Sequence, residues 1–157
     1  MCSSDLHAAY LTAWMVGVNI IGNVFGGWLV HRKVRRGAII AGVFVLTSLI
    51  FVAIFSLGLS DGARYGLILV YSIVCGPIPA AALSGGARYA RSPSEVGTIQ
   101  GLIFQLTNVG LFFGPPVTAM VVRAMGSWDA VLWVLLGAGV LGFVAALGVL
   151  WIEMRSE

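Results

Sequence analysis

The chain has 157 residues, of which 59% are hydrophobic and 10% charged, with a formal net charge of +3 and a mean hydropathy of +1.00. That balance excludes a water-soluble fold, whose surface needs far more charge than this. The nine Lys and Arg residues are spread between long apolar runs, which excludes a nucleic-acid-binding face.

The opening Met1-Cys2-Ser3-Ser4-Asp5-Leu6 resembles the conceptual translation of a sequencing-adapter tail, with a GTG codon read as the initiating Met. Residues 1–6 are therefore set aside from fold reasoning. Residues 7–157 read as part of a longer protein that extends upstream.

A helix crosses the ~30 Å hydrocarbon core with about 20 apolar residues, at ~1.5 Å of rise each. Five segments meet that requirement, approximately Ala8 to Val30, Gly37 to Leu59, Tyr65 to Ala87, Gly97 to Val122 and Trp128 to Ile152. The alternating strands of about ten residues that a membrane barrel needs are absent from the sequence. The expected class is all-α, polytopic in the membrane.

In the first span, Thr12, Asn19 and Asn23 recur at steps of seven and four, which puts them on one helical stripe. Gly22 and Gly26 follow the small-x-x-x-small spacing that lets helices approach closely. The second span holds only Thr47, Ser48 and Ser56 as interior polar residues, so a peripheral, lipid-facing position is expected. The third carries Tyr71, Ser72 and Cys75 and then Gly76-Pro77-Ile78-Pro79, where Pro77 and Pro79 each remove a backbone donor and predict a kink. Cys75 reads as a small buried hydrophobe. The fourth span repeats a polar stripe with Thr98, Gln105, Asn108 and Phe112. The fifth has no polar residue between Asp129 and Glu153 and, like the second, is expected at the periphery.

Basic residues in short loops mark the cytoplasmic side. Arg32, Lys33, Arg35, Arg36, Arg88, Arg91 and Arg155 fall on one side, against Arg64 and Arg123 on the other, seven to two. This places the C-terminus in the cytoplasm. Trp28, Trp128 and Trp151 near span ends suit the headgroup region.

The stretch from Gly27 through His31, Arg32, Lys33, Val34 and Arg35 to Arg36 resembles the loop signature G-x-x-x-D-[RK]-x-G-[RK]-[RK] of the major facilitator transporters. It departs from that signature at His31 and Val34, where Asp and Gly are expected. Gly110, Gly114 and Pro115 in the fourth span are similar to the family's G-x-x-x-G-P segment, and their plainer reading is a close helix contact beside a proline bend. The resemblance implies that the chain corresponds to helices eight to twelve, a partial C-terminal half. It further implies a conformational-switch role for the loop residues Gly27, His31, Arg32, Arg35 and Arg36, for which topology alone is an alternative explanation.

In such a fold a solute site lies near the bilayer midplane between two halves. Asn19, Asn23, Tyr71, Ser72, Gln105 and Asn108 are then the candidates for one wall, since they donate and accept hydrogen bonds without carrying charge. Bonding between helices is the competing role for each of them. Asp61, Glu95, Asp129 and Glu153 sit in loops or near span ends and are expected to be solvated. His7 and His31 have no convergent partners, so no metal site, cofactor or acid–base pair is expected, and neither is enzymatic activity. The expected function is secondary transport of a small polar solute in a bacterial inner membrane, with the lipid bilayer and the missing N-terminal half as partners. A non-transporting membrane scaffold or assembly protein, and a transporter of a different inverted-repeat fold, are the alternatives.

Overall fold

The computed structural model describes residues 3–90 and 92–155. Met1 and Cys2 of the adapter-like opening, and Arg91 of the basic tally, lie outside the described residues.

Among the described residues six α-helices follow one another: α1 (Ser3–His31), α2 (Arg36–Ser56), α3 (Asp61–Cys75), α4 (Pro77–Tyr89), α5 (Pro93–Met125) and α6 (Val131–Arg155), the last preceded by a 3₁₀ turn at Trp128–Ala130. Because α3 and α4 form one broken span, the described residues hold five helical spans long and apolar enough to cross a membrane. At ~1.5 Å per residue the 21 residues of α2 reach about 31 Å, the thickness of the hydrocarbon core. With 33 residues, α5 is longer than that core, so it tilts or protrudes.

The break between α3 and α4 falls at Gly76, whose N–H donates to Ile73 O at 3.1 Å. Pro77 has no N–H to offer, so the α-helical ladder is interrupted and restarts with proline at the first position of α4. The break also lets α1 approach. A Cβ at Gly22 of α1 would collide with Ile73 O and Gly76, and one at Gly26 would meet Pro77. Apolar side chains gain nothing by leaving lipid for protein, so close contact of this kind is what holds such helices together.

A second packed seam joins α2 and α6. Gly142 of α6 lies against the ring of Phe44, where any Cβ would overlap the ring. On α2, Ile39, Val43, Thr47 and Ile50 are buried. Thr47 and Ser48 return their hydroxyls to Phe44 O at 3.2 and 2.8 Å, so neither leaves a polar group exposed to lipid. Although its composition suggests a peripheral place, α2 touches α3, α4 and α6 within this chain. Its opposite face, with Val45, Leu46, Leu49 and Val52, is exposed. Apolarity alone identifies a helix that tolerates lipid, and it leaves open how many protein neighbours that helix has.

Two helices lie at the flanks. α1 packs on α3 and α4, while α5 rests on α4 near its start and on the 3₁₀ turn and α6 near its end. No described residue of α5 is buried.

Candidate functional site

The polar residues singled out in the sequence fall into three groups. The first laces α1 to α3. Tyr65 donates its hydroxyl to Leu11 O at 2.7 Å, Ser72 Oγ donates to Met15 O at 2.7 Å, and Asn19 Nδ2 donates to Ser72 O at 2.6 Å. Asn23 Nδ2 adds a bond to Asn19 Oδ1 at 2.7 Å. Asn19, Asn23 and Ser72 therefore lie in the helix contact, with Ser72 only 5% exposed. Tyr71 turns the other way and sets its ring 5.0 Å from Phe51 of α2. These four residues are placed in helix interfaces.

The second group lies on α5. Every residue from 104 to 117 is exposed, and Gln105 and Asn108 line an open groove of about 480 Å³ with Val109, Phe112 and Phe113. Neither amide makes a hydrogen bond among the described residues. Thr107 and Thr118 send their hydroxyls back to Ile103 O and Gly114 O, each at 2.9 Å. Pro115 and Pro116 lie inside the helix and supply no N–H to Leu111 O and Phe112 O four residues earlier. The spacing of Gly110 and Gly114 suggests a close helix contact, yet a Cβ at either would meet nothing within 4 Å. The middle of α5 thus presents two amides, two prolines and two unused glycines. Sequence periodicity groups Gln105 and Asn108 with Asn19 and Asn23 as polar stripes; the fold separates them, because one stripe meets a helix and the other meets none.

The third group gathers where α1 ends, α2 begins, and α4 and α6 end. The turn after α1 closes by Lys33 N–H to Val30 O at 3.0 Å and Val34 N–H to Leu29 O at 3.2 Å, with Lys33 in the left-handed region at φ 59°. This is the Schellman arrangement, in which the residue after the left-handed one folds back on the helix. It accounts for Val34, which lines the same apolar groove as Leu29. Of the signature-like residues, Gly27 and His31 are exposed and Arg32 lies over the Trp28 ring at 5.0 Å. Arg35 immediately precedes α2. Arg36 is drawn inward: its Nη1 lies 3.4 Å from Glu153 Oε1 and its Nε donates to Ser84 Oγ at 3.0 Å.

Glu153 corrects an expectation. It is not solvated but only 6% exposed, and it accepts from Arg36 N at 3.2 Å and from Gly37 N at 3.0 Å. A carboxylate from α6 thus satisfies two orphan N–H groups at the start of α2, where the helix dipole favours negative charge. With Ser84 included, this tie joins α2, α4 and α6. The sequence holds a signal for it: one carboxylate ending a wholly apolar span on the side of the membrane that also carries the Arg cluster.

Family models, curated protein sequences and solved structures contain no match to this chain.

Proposed function

We propose that the chain is the C-terminal portion, about helices eight to twelve, of a major facilitator-type secondary transporter. In this reading it moves a small polar solute by alternating access across a bacterial inner membrane, with its C-terminus in the cytoplasm. One observation carries the proposal, namely the uncovered middle of α5. A helix bearing Gln105, Asn108, two prolines and two unused glycines is a poor neighbour for acyl chains. It suits a position against further helices and a water-filled path. The gathering of the signature-like loop with the ends of α4 and α6 at one end of the bundle supports the same reading, because a switch loop acts on helix ends. Gln105 and Asn108 are the residues we assign to the solute path. Asn19, Asn23 and Ser72 serve to fix α1 on α3.

This reading makes the isolated chain inactive, since the opposing wall is supplied by the upstream half. Reconstituted in liposomes, the 157-residue chain gives no saturable uptake of any solute tested; clear uptake overturns the assignment as a partial half. The upstream reading frame is expected to encode seven further spans with a better-kept copy of the loop signature.

The hydrogen-bonded ladder between α1 and α3 favours a second reading, a non-transporting membrane scaffold, because it spends amides on packing. A scaffold predicts no upstream signature copy, and an α5 groove filled by a partner's helix rather than by water.

A further inference from the structure

The end of the bundle where the basic residues gather holds a cleft of about 290 Å³ lined by Lys33, Arg35, Arg36, Arg88 and Glu153, with Val30 and Val34 as its apolar wall. Four cations face one carboxylate there, and that carboxylate is already committed to Arg36 and to the N–H groups that begin α2. Among the described residues, neither Lys33 nor Arg88 is paired with a carboxylate. The two come from different elements, the turn after α1 and the last turn of α4. The Schellman closure fixes the backbone of that turn, so Lys33 is held at the mouth of the cleft and is not carried on a loose loop.

The depth of the cleft in the membrane follows from its neighbours. Arg32 sits over the Trp28 ring at 5.0 Å and Arg155 over the Trp151 ring at 3.7 Å. Tryptophan rings settle at the headgroup level, so these two pairs mark the plane in which lipid phosphates lie. A cleft with surplus positive charge and an apolar wall at that level matches a phosphate oxyanion that continues into acyl chains.

We infer that this cleft binds the headgroup of an anionic phospholipid, with Lys33 and Arg88 contacting the phosphate and Val30 and Val34 lying along the start of the chains. The site depends on the chain being embedded in a membrane and is independent of whether it transports. Glu153 is a positioning residue here, because it holds Arg36 and the start of α2 in place and leaves the surplus charge to Lys33 and Arg88.

The test uses the full chain in detergent at ~0.15 M salt, where long-range attraction is screened. Native mass spectrometry counts retained phosphatidylglycerol, and phosphatidylcholine with the same acyl chains serves as the comparison. The double variant Lys33→Ala/Arg88→Ala is expected to weaken phosphatidylglycerol retention by roughly tenfold or more. Arg64→Ala/Arg123→Ala removes the same charge at the other end of the bundle and is expected to leave retention close to wild type. Lys33→Gly keeps the left-handed turn while removing one charge, so it gives a smaller loss in the same direction if the double variant folds poorly. Equal losses in both double variants, or equal retention of the two lipids by wild type, overturn the inference. Displacement of phosphatidylglycerol by millimolar inorganic phosphate also overturns it, by making a free anion the occupant.

Discussion

Replacing Glu153 by Gln probes the tie that joins α2, α4 and α6. The carboxylate accepts two backbone N–H groups, from Arg36 and Gly37, and lies 3.4 Å from the Arg36 guanidinium. Removing one partner of a buried pair costs about 3–5 kcal/mol, and a hydrogen bond to a charged group contributes about 1.5–3 kcal/mol. Two features lower the figure here. The Arg36 side chain retains 17% exposure and keeps its bond to Ser84 Oγ at 3.0 Å. The amide oxygen of Gln also still accepts one N–H. Against this, the Gln amino group then faces the N–H of Gly37 or Arg36, donor to donor. A loss of about 2–3 kcal/mol follows, read from reversible unfolding of the purified chain in mixed micelles with increasing dodecyl sulfate, followed by helical circular dichroism. Asp61→Asn, at an exposed first-turn position of α3, serves as the control and should change little. Combining Glu153→Gln with Arg36→Ala should recover about 1 kcal/mol or more of the summed single losses, because the two residues act through one contact. If Glu153→Gln lies within about 0.5 kcal/mol of wild type, the range of an ordinary surface change, the tie carries no stability and the reasoning fails.

Further expectations concern the helix seams. Gly22→Val forces α1 away from the α3–α4 break, where a Cβ already meets Ile73 O and Gly76; the same unfolding assay should register a loss of about 1–3 kcal/mol or more. Gly17→Ala, with nothing within 4 Å of the added carbon, should be tolerated. Ser72→Ala removes the donor to Met15 O and should cost about 0.6 kcal/mol, the usual size for a hydrogen bond between membrane helices; a loss above about 2 kcal/mol would mean that the ladder acts as one unit. Lys33→Gly relieves a side chain held at φ 59° and should stabilise the chain by about 1 kcal/mol while weakening retention of anionic lipid. Opposite signs in those two measurements separate the strain of the turn from its charge.

The membrane-spanning pattern was legible because it is set by the largest energy in the system, the transfer of about 20 apolar residues into hydrocarbon. The expected spans and the observed helices agree to within a few residues, as at Gly37 to Leu59 against Arg36–Ser56. The kink was also legible, since Pro77 cannot donate the bond that a continuous helix needs. What the residues meet was not. Asn19 and Gln105 look alike in a periodic reading, yet one bonds to Ser72 O at 2.6 Å and the other lines an open groove. Periodicity fixes which residues share a face and leaves the neighbour of that face undetermined. Glu153 and Arg36 stand 117 positions apart, so no local pattern pairs them. Lys33 carries the left-handed conformation at the position before Val34, where the loop signature has its glycine, and only backbone geometry reveals it.

The central claim is that α5 turns its amide-bearing face toward an aqueous path while the outer face of α6 meets lipid. Single cysteines at positions 105, 108, 141 and 144, placed in the chain after Cys2→Ser and Cys75→Ala, test it through labelling by a membrane-impermeant maleimide in intact membranes. Gln105→Cys and Asn108→Cys should label readily, and Leu141→Cys and Val144→Cys, which replace exposed apolar residues of α6, should stay unlabelled. Positions 105 and 108 as unreactive as 141 and 144 would place that face of α5 away from water and contradict the account.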